Sequence, residues 1–399
     1  MMEYLERLMR SFKERDRLST LLLLTYSPLP PLATARRTGV LLDEELEAAA
    51  RRDTATGSRE ELSNLLRGEM ERIQRRLESS SRNIVSVFSV VSITGTVIPA
   101  MVGTVAMFVS PNAAPGLILA LAAATVLLSL TGLAVYPKQI SIPWRQPWWA
   151  PLIPLAVAVT VTLLFQAVAP SFSILPEPGW GSPLGTLLVL ARLTPLMGVA
   201  IGGAVGVFPA LRSRRIATKL LHTTYKWLRG AASTPWSPLY GTGVSVDELE
   251  SLSGWPLVDS MRKLISLSAI HGAPEALVEA SHSYGRLVEA VKSFSARGLE
   301  MLAYCLVTMI LSAASLSIGI ESLNLMRSAP MSVAGLPPPP SPEELEPYLS
   351  LSLALEAVGL SLLTSLCREG NWRYYCEYLL VFALAASLGV ALGPSLVGW

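Results

Sequence analysis

The sequence predicts an all-α polytopic membrane protein with about seven transmembrane helices and two cytoplasmic helical-bundle domains. Three observations lead there. Hydrophobic residues make up 51% of the chain and charged residues only 16%, where a soluble protein carries about 25% charge. The charges are segregated, leaving apolar windows of roughly 20 residues, enough to cross a hydrocarbon core. Finally, thirty of the 32 Lys and Arg residues fall in segments that one topology places on the same membrane face.

Residues 1–83 form the first expected cytoplasmic domain, with fifteen Lys/Arg against fourteen Asp/Glu. Its opening, MMEYLERLMRSFKERDR, alternates in charge and offers no cleavable apolar region, so no signal peptide is expected. Leu5, Leu8, Met9 and Phe12 make an amphipathic stripe. The apolar run Leu18–Leu24 stops at Ser27-Pro28 and is too short to span. Asp43-Glu44-Glu45 opens the next helix and Arg51-Arg52 closes it, as the helix dipole favours. Leu62, Leu65, Leu66, Met70, Ile73 and Leu77 then mark one face of a helix whose other face carries Arg72, Arg75 and Arg76.

Residues 84–211 hold four expected spans: Ile84–Val109, Pro115–Tyr136, Trp148–Ala169 and Leu184–Leu211. The fourth is overlong, which suggests tilt or a break at Pro195. Trp144, Trp148 and Trp149 mark the inner entry of the third as an aromatic belt. Residues 212–298 are the second cytoplasmic domain, with eleven Lys/Arg and no spanning run. Residues 299–399 supply three more spans, Leu299–Leu323, Tyr348–Leu366 and Tyr378–Val397, with a proline-rich outer linker at Leu336–Pro342. The N-terminus is then inside and the C-terminus outside the cell membrane, with Arg327 the one outer cation and Arg192 within the fourth span.

The residue inventory argues against an enzyme. No Walker A pattern or serine nucleophile elbow occurs. All five aspartates, Asp16, Asp43, Asp53, Asp247 and Asp259, fall in cytoplasmic segments, so an intramembrane aspartyl pair is unavailable. Cys305, Cys367, Cys376 and the three histidines show no metal-ligand spacing, and no cofactor is expected. Nucleic-acid binding lacks a fold motif. Gly202 and Gly206 form a Gly-x-x-x-Gly pair suited to close helix packing. Arg192, Glu321 and Glu356 are the intramembrane ionisable groups. Arg192 and Glu321 match in depth, so they either pair or reach the outer interface. Glu356 serves either structural hydrogen bonding or function. The basic cluster Arg212, Arg214, Arg215 and Lys219, like Arg72, Arg75 and Arg76, either meets lipid headgroups or docks a partner.

Two stretches repeat. GSREELSNLLRGEMERIQRRLESSSR (Gly57–Arg82) lies over GAPEALVEASHSYGRLVEAVKSFSAR (Gly272–Arg297) at an offset of 215. Gly57/Gly272, Glu60/Glu275, Leu62/Leu277, Ser80/Ser295 and Arg82/Arg297 coincide. Each copy opens on Gly, continues as an amphipathic helix and runs into a span. The glycine ends the preceding helix and turns the chain.

On these residues, Arg214–Leu325 with Gly57–Val109 as a partial copy, the chain resembles the type II secretion system F family, and its archaeal pilus and archaellum branch in particular. The turn Gly243-Val244-Ser245-Val246-Asp247-Glu248-Leu249 is similar to the family's small-residue turn before a helix. The first copy is shorter than a full family domain. The resemblance implies a non-enzymatic assembly platform, expected as a homo-oligomer in the lipid bilayer. Its implied partners are a cytoplasmic secretion or pilus ATPase and pilin-like membrane subunits. Docking would fall on Arg214–Arg297, through Arg214, Arg215, Lys219 and Glu275, with the turns at Gly243 and Gly272 shaping the surface. A secondary transporter and a membrane scaffold without a motor partner are the alternatives.

Overall fold

The computed structural model describes residues 17–92, 113–130, 140–168, 193–234, 237–250, 253–272, 274–328 and 342–397, with isolated residues between. Every regular element among them is helical. The first half holds α1 (17–26), α2 (Pro31–Thr38), α3 (Glu44–Thr56), α4 (Glu60–Ser92), α5 (Ala114–Ser129) and α6 (Ile153–Val168). The second half holds α7 (Thr194–Ser233), α8 (Pro238–Thr242), α9 (Val246–Glu250) and α10 (Pro256–His271). It ends with α11 (Pro274–Ser328), α12 (Pro342–Arg368) and α13 (Cys376–Val397).

Four helices are long and apolar enough to cross a membrane: Thr194–Ser233, Glu275–Leu323, Glu344–Arg368 and Trp372–Gly393. They carry the expected fourth to seventh spans. Ala114–Ser129 and Ala150–Gln166 are apolar but shorter, at the second and third expected positions. Most of the first expected span lies outside the described residues. The helix of the fourth begins at Thr194, after a bend at Leu193, so the expected break falls beside Pro195. The proline stands in the first turn of α7, where its missing N–H has no intrahelical acceptor to lose.

The chain divides into two compact units. One gathers Met1–Ser81, Pro137–Pro143 and Arg215–Ser295, and the other the remaining segments. The stretches expected as two separate bundles therefore belong to one unit. Polar contacts join them within it: Tyr26 Oη to Ser283 Oγ at 2.9 Å, and Lys263 Nζ to the Thr38 carbonyl at 3.2 Å.

Side chains close the helix ends of this first unit. The run Leu18–Leu24 is core, not membrane, and Leu21, Leu22 and Leu24 are fully buried. Arg59 donates to the carbonyls of Leu24 (2.5 Å), Thr25 (3.0 Å) and Leu29 (2.6 Å), satisfying acceptors that the end of α1 leaves open. Asp43 caps α3 through the Leu46 amide at 2.8 Å. Buried Asp53 accepts from the Glu61 and Leu62 amides, so α3 supplies the cap for α4.

The repeat extends further than the sequence identities reach. At the same offset of 215, α2 corresponds to α9, α3 to α10 and α4 to α11. Gly39 and Gly57, 18 residues apart, correspond to Gly254 and Gly272, and all four have φ between 67° and 71°. That left-handed region costs a residue with a Cβ about 1–2 kcal/mol, which explains glycine at each of these four turns.

In the second unit α12 is the central helix, packed on α5 and α13. Glycines let backbones meet. A Cβ on Gly202 would lie 2.2 Å from the Pro154 carbonyl oxygen, and one on Gly206 2.5 Å from Pro154 Cγ. The Gly-x-x-x-Gly pair thus seats α7 on α6. Gly203 faces Leu380 of α13, Gly389 faces the Ile310 carbonyl of α11, and Gly359 faces α5. Large apolar residues point outward instead: Val381, Leu384, Leu388 and Leu392 line one exposed stripe of α13. Small residues inside and large apolar ones outside are compatible with a protein surrounded by lipid.

Two kinds of glycine substitution should separate in thermal unfolding of the detergent-solubilised protein. Gly57→Ala meets open space, so only its positive φ is penalised, by about 1–2 kcal/mol. Gly202→Ala drives a methyl into a neighbouring backbone and should lose about 1–3 kcal/mol or more. Gly202→Ala stable to the wild-type midpoint would show that α6 and α7 are not held at this distance.

Candidate docking surface

Helix α7 carries a row of basic residues without acidic neighbours on the same helix. From Thr194 to Ser233 it contains no Asp or Glu. From Arg215 onward Arg215, Lys219, His222, Lys226 and Arg229 are all exposed, while Ala217, Leu221, Thr224 and Leu228 are buried. At about 100° per residue these two sets occupy opposite faces. The exposed set is one cationic stripe, about 21 Å long at 1.5 Å per residue. Among the described residues none of its members is in an ion pair.

Arg214, one residue earlier, points elsewhere. Its side chain is 18% exposed, and its Nη1 lies 2.7 Å from Glu377 Oε1 and 3.7 Å from Glu369 Oε1. Its charge is already matched within the chain, which sets it apart from its neighbours Arg215 and Lys219. Around it, the Tyr378 hydroxyl donates to Glu369 at 2.7 Å, and Arg368 Nε lies 3.6 Å from the same carboxylate. The Arg368 guanidinium also lies over the Tyr378 ring, 5.9 Å from its centre. Ser213 accepts from the Arg145 amide at 2.7 Å and shares a hydrogen bond of 3.1 Å with Tyr374. Gly298 of α11 packs so closely on Arg368 that a Cβ there would be 2.7 Å from its Cγ. One cluster of charges thereby gathers α7, α11, α12 and α13 at one end of their unit. Full burial raises the Glu369 carboxyl to about 8, with Glu377 adding to the shift and Arg214 and Arg368 opposing it.

The other expected docking residues stand apart from this cluster. Arg72, Arg75 and Arg76 lie on the exposed face of α4, where Arg72 pairs with Glu69 at 3.4 Å and Arg75 with Glu71 at 3.1 Å. Such exposed helix pairs contribute about 0.3–0.5 kcal/mol and leave the charges accessible. Gly243 closes α8 in the left-handed conformation, and Ser245 Oγ then accepts from the Glu248 amide at 3.3 Å. This is the expected turn before a helix. Gly272 turns the chain between α10 and α11, and Glu275 is exposed in the first turn of α11. Of the intramembrane groups, Arg192 lies outside the described residues and Glu321 is half-buried. Glu356 is fully buried against Ser312.

Sequence reasoning stopped the basic cluster at Lys219 and missed Lys226 and Arg229. Their spacing of 3 and 4 residues, with no acid between, was the available signal. It also missed that Glu369 and Glu377 would claim Arg214, a pairing across more than 150 residues that leaves no local signature.

Removing Arg214 leaves the Glu377 carboxylate without its ion-pair partner and takes one of two guanidiniums away from Glu369. Arg214→Ala should therefore lose about 3–5 kcal/mol, read as a lower unfolding midpoint. A carboxyl whose folded value is raised holds its proton while the unfolded chain has already released it. Its stabilising contribution is complete below the ordinary carboxylate value and is lost as pH rises toward about 8. Glu369→Gln should flatten that fall in the midpoint between mildly acidic and mildly alkaline pH, and an unchanged slope would place the titration elsewhere.

Comparison with family models, with curated proteins and with solved structures returned no match to this chain, so the role of the surface has to be argued from its residues.

Proposed function

We propose that this protein is a non-enzymatic membrane platform that seats an acidic cytoplasmic partner on the cationic stripe of α7. In the fuller reading the chain crosses the cell membrane seven times, with its N-terminus inside and C-terminus outside. The partner is the hexameric ATPase of a type IV pilus-like filament or secretion machine, and the span bundle guides pilin-like subunits. The resemblance of the repeated hairpins to the type II secretion system F family supports this fuller form.

The observation that carries the proposal is the change of character along one unbroken helix. The first half of α7 is apolar and close-packed through glycines, and its second half carries the stripe from Arg215 to Arg229. Anionic headgroups account for cations next to a span. The headgroup layer, however, is only roughly 5–8 Å deep on each side. A helix that crosses the bilayer cannot also lie flat along it, so a stripe about 21 Å long runs well past that layer. Lys226 and Arg229 are left for a protein surface of opposite charge. Such complementarity raises association rate and selects partners.

The test is co-purification from detergent with a co-expressed secretion-type ATPase, comparing wild type with Lys226→Glu/Arg229→Glu. Wild type should retain the ATPase and release it as salt rises, and the variant should lose it while inserting normally into membranes. Retention by both would move the docking face away from α7. Failure of wild type to bind any such ATPase would remove the motor and favour a scaffold or transporter.

A further inference from the structure

The proposed docking role leaves Glu356 unused. It sits midway along α12, the central helix of its unit, and is 0% exposed. Ser312 of α11 donates a hydrogen bond to its Oε2 at 3.1 Å, and its Oε1 has no partner. An ionised carboxylate in that position would need a cation, or several donors to both oxygens. Leaving it without them costs several kcal/mol.

Among the described residues no such cation is within reach on the elements around it. The apolar stretch of α7, the whole of α5 and α6, and α13 beyond Tyr378 contain no titratable side chain. On α12 itself the nearest cation is Arg368, twelve residues on and about 18 Å along the helix. It is already held by Glu369 and Tyr378. Glu344 and Glu346 at the start of α12 are acids, and Tyr348 is partly exposed. On α11, Glu321 lies nine residues past Ser312, about 14 Å away along the axis. Tyr304 and Cys305 precede Ser312 by two turns, and Cys305 accepts from Thr364. A lone fully buried carboxyl with one donor and a spare oxygen matches a neutral acid.

We propose that Glu356 is an intramembrane proton-binding site, holding a proton at neutral pH and, in that uncharged form, latching α12 to α11 through Ser312. Loss of the proton puts a bare charge between two packed helices, and the pair must then separate or admit water. Because α11 is one continuous helix from Pro274 to Ser328, a latch at Ser312 acts on the same element that turns at Gly272. This proposal stands whether or not the chain docks an ATPase.

Infrared spectroscopy of the purified protein in lipid tests it directly. At neutral pH the wild type should show the carbonyl stretch of a protonated carboxylic acid. Glu356→Gln should reduce that band by one carboxyl, leaving the contribution of buried Glu369, and Ser312→Ala should shift the Glu356 component to higher wavenumber by deleting the hydrogen bond. Treatment of wild type with a lipid-soluble carbodiimide, which attacks protonated acids in apolar surroundings, should place an adduct on Glu356 by mass spectrometry. That arm needs no variant to fold. A wild-type spectrum without an acid band, a band that Glu356→Gln leaves undiminished, or a recovered Glu356 peptide without adduct would each overturn the proposal.

Discussion

Backbone contact between helices, at positions where no side chain intervenes, is the constraint on which the second unit depends. Inside a bilayer apolar side chains gain little from leaving lipid for protein, so close packing and hydrogen bonds must supply the association. Gly198 and Gly202 bring α7 onto α6, Gly203 and Gly206 bring it onto α13, and Gly389 and Gly393 bring α13 onto α11. Bulk is displaced outward to residues such as Phe208, Tyr304, Leu311 and Leu388, which are exposed. The same division of small inside and large outside leaves α12 surrounded and its Glu356 sealed from water.

Charge is handled differently at the two ends of this arrangement. Near Arg214 the charge is met internally: the Glu377 carboxylate pairs with the guanidinium, Glu369 lies beside it, and Arg368 and Tyr378 complete the set. One residue further along the same helix, Arg215 begins a series that finds no partner among the described residues. Adjacent arginines on a helix point about 100° apart, so of two neighbours in sequence one can be held in an internal ion pair and the other left exposed. That geometry is why a basic cluster read as a block divides into two roles once folded.

Much of the fold was legible because its signals are local. Apolar length gave the four long helices, Gly57 and Gly272 marked the hairpin turns, and the Gly202/Gly206 pair announced a close packing that the Pro154 contact bears out. What escaped depends on long-range pairing. The two stretches expected as separate bundles share one unit because residues such as Tyr26 and Ser283, 257 apart, meet. The Gly39/Gly254 correspondence was hidden because the helices between share few residues, and only the helix order and the positive-φ glycines match. Pro195 was legible for a local reason too: proline is tolerated in the first turn of a helix, and α7 begins beside it after the bend at Leu193.

The central claim is that both copies of the repeated hairpin, and with them the cationic stripe, face the cytoplasm. Substituted-cysteine labelling tests it most directly, since Cys305, Cys367 and Cys376 are buried and give little background. Arg51→Cys lies in the first copy and His282→Cys in the second, and both positions are exposed. With a membrane-impermeant maleimide, neither should be labelled in intact cells and both should be labelled once the membrane is opened. Labelling of both from outside would invert the topology and remove the stripe from any cytoplasmic motor. Labelling of one alone would contradict both an even number of crossings between the copies and their membership of a single unit.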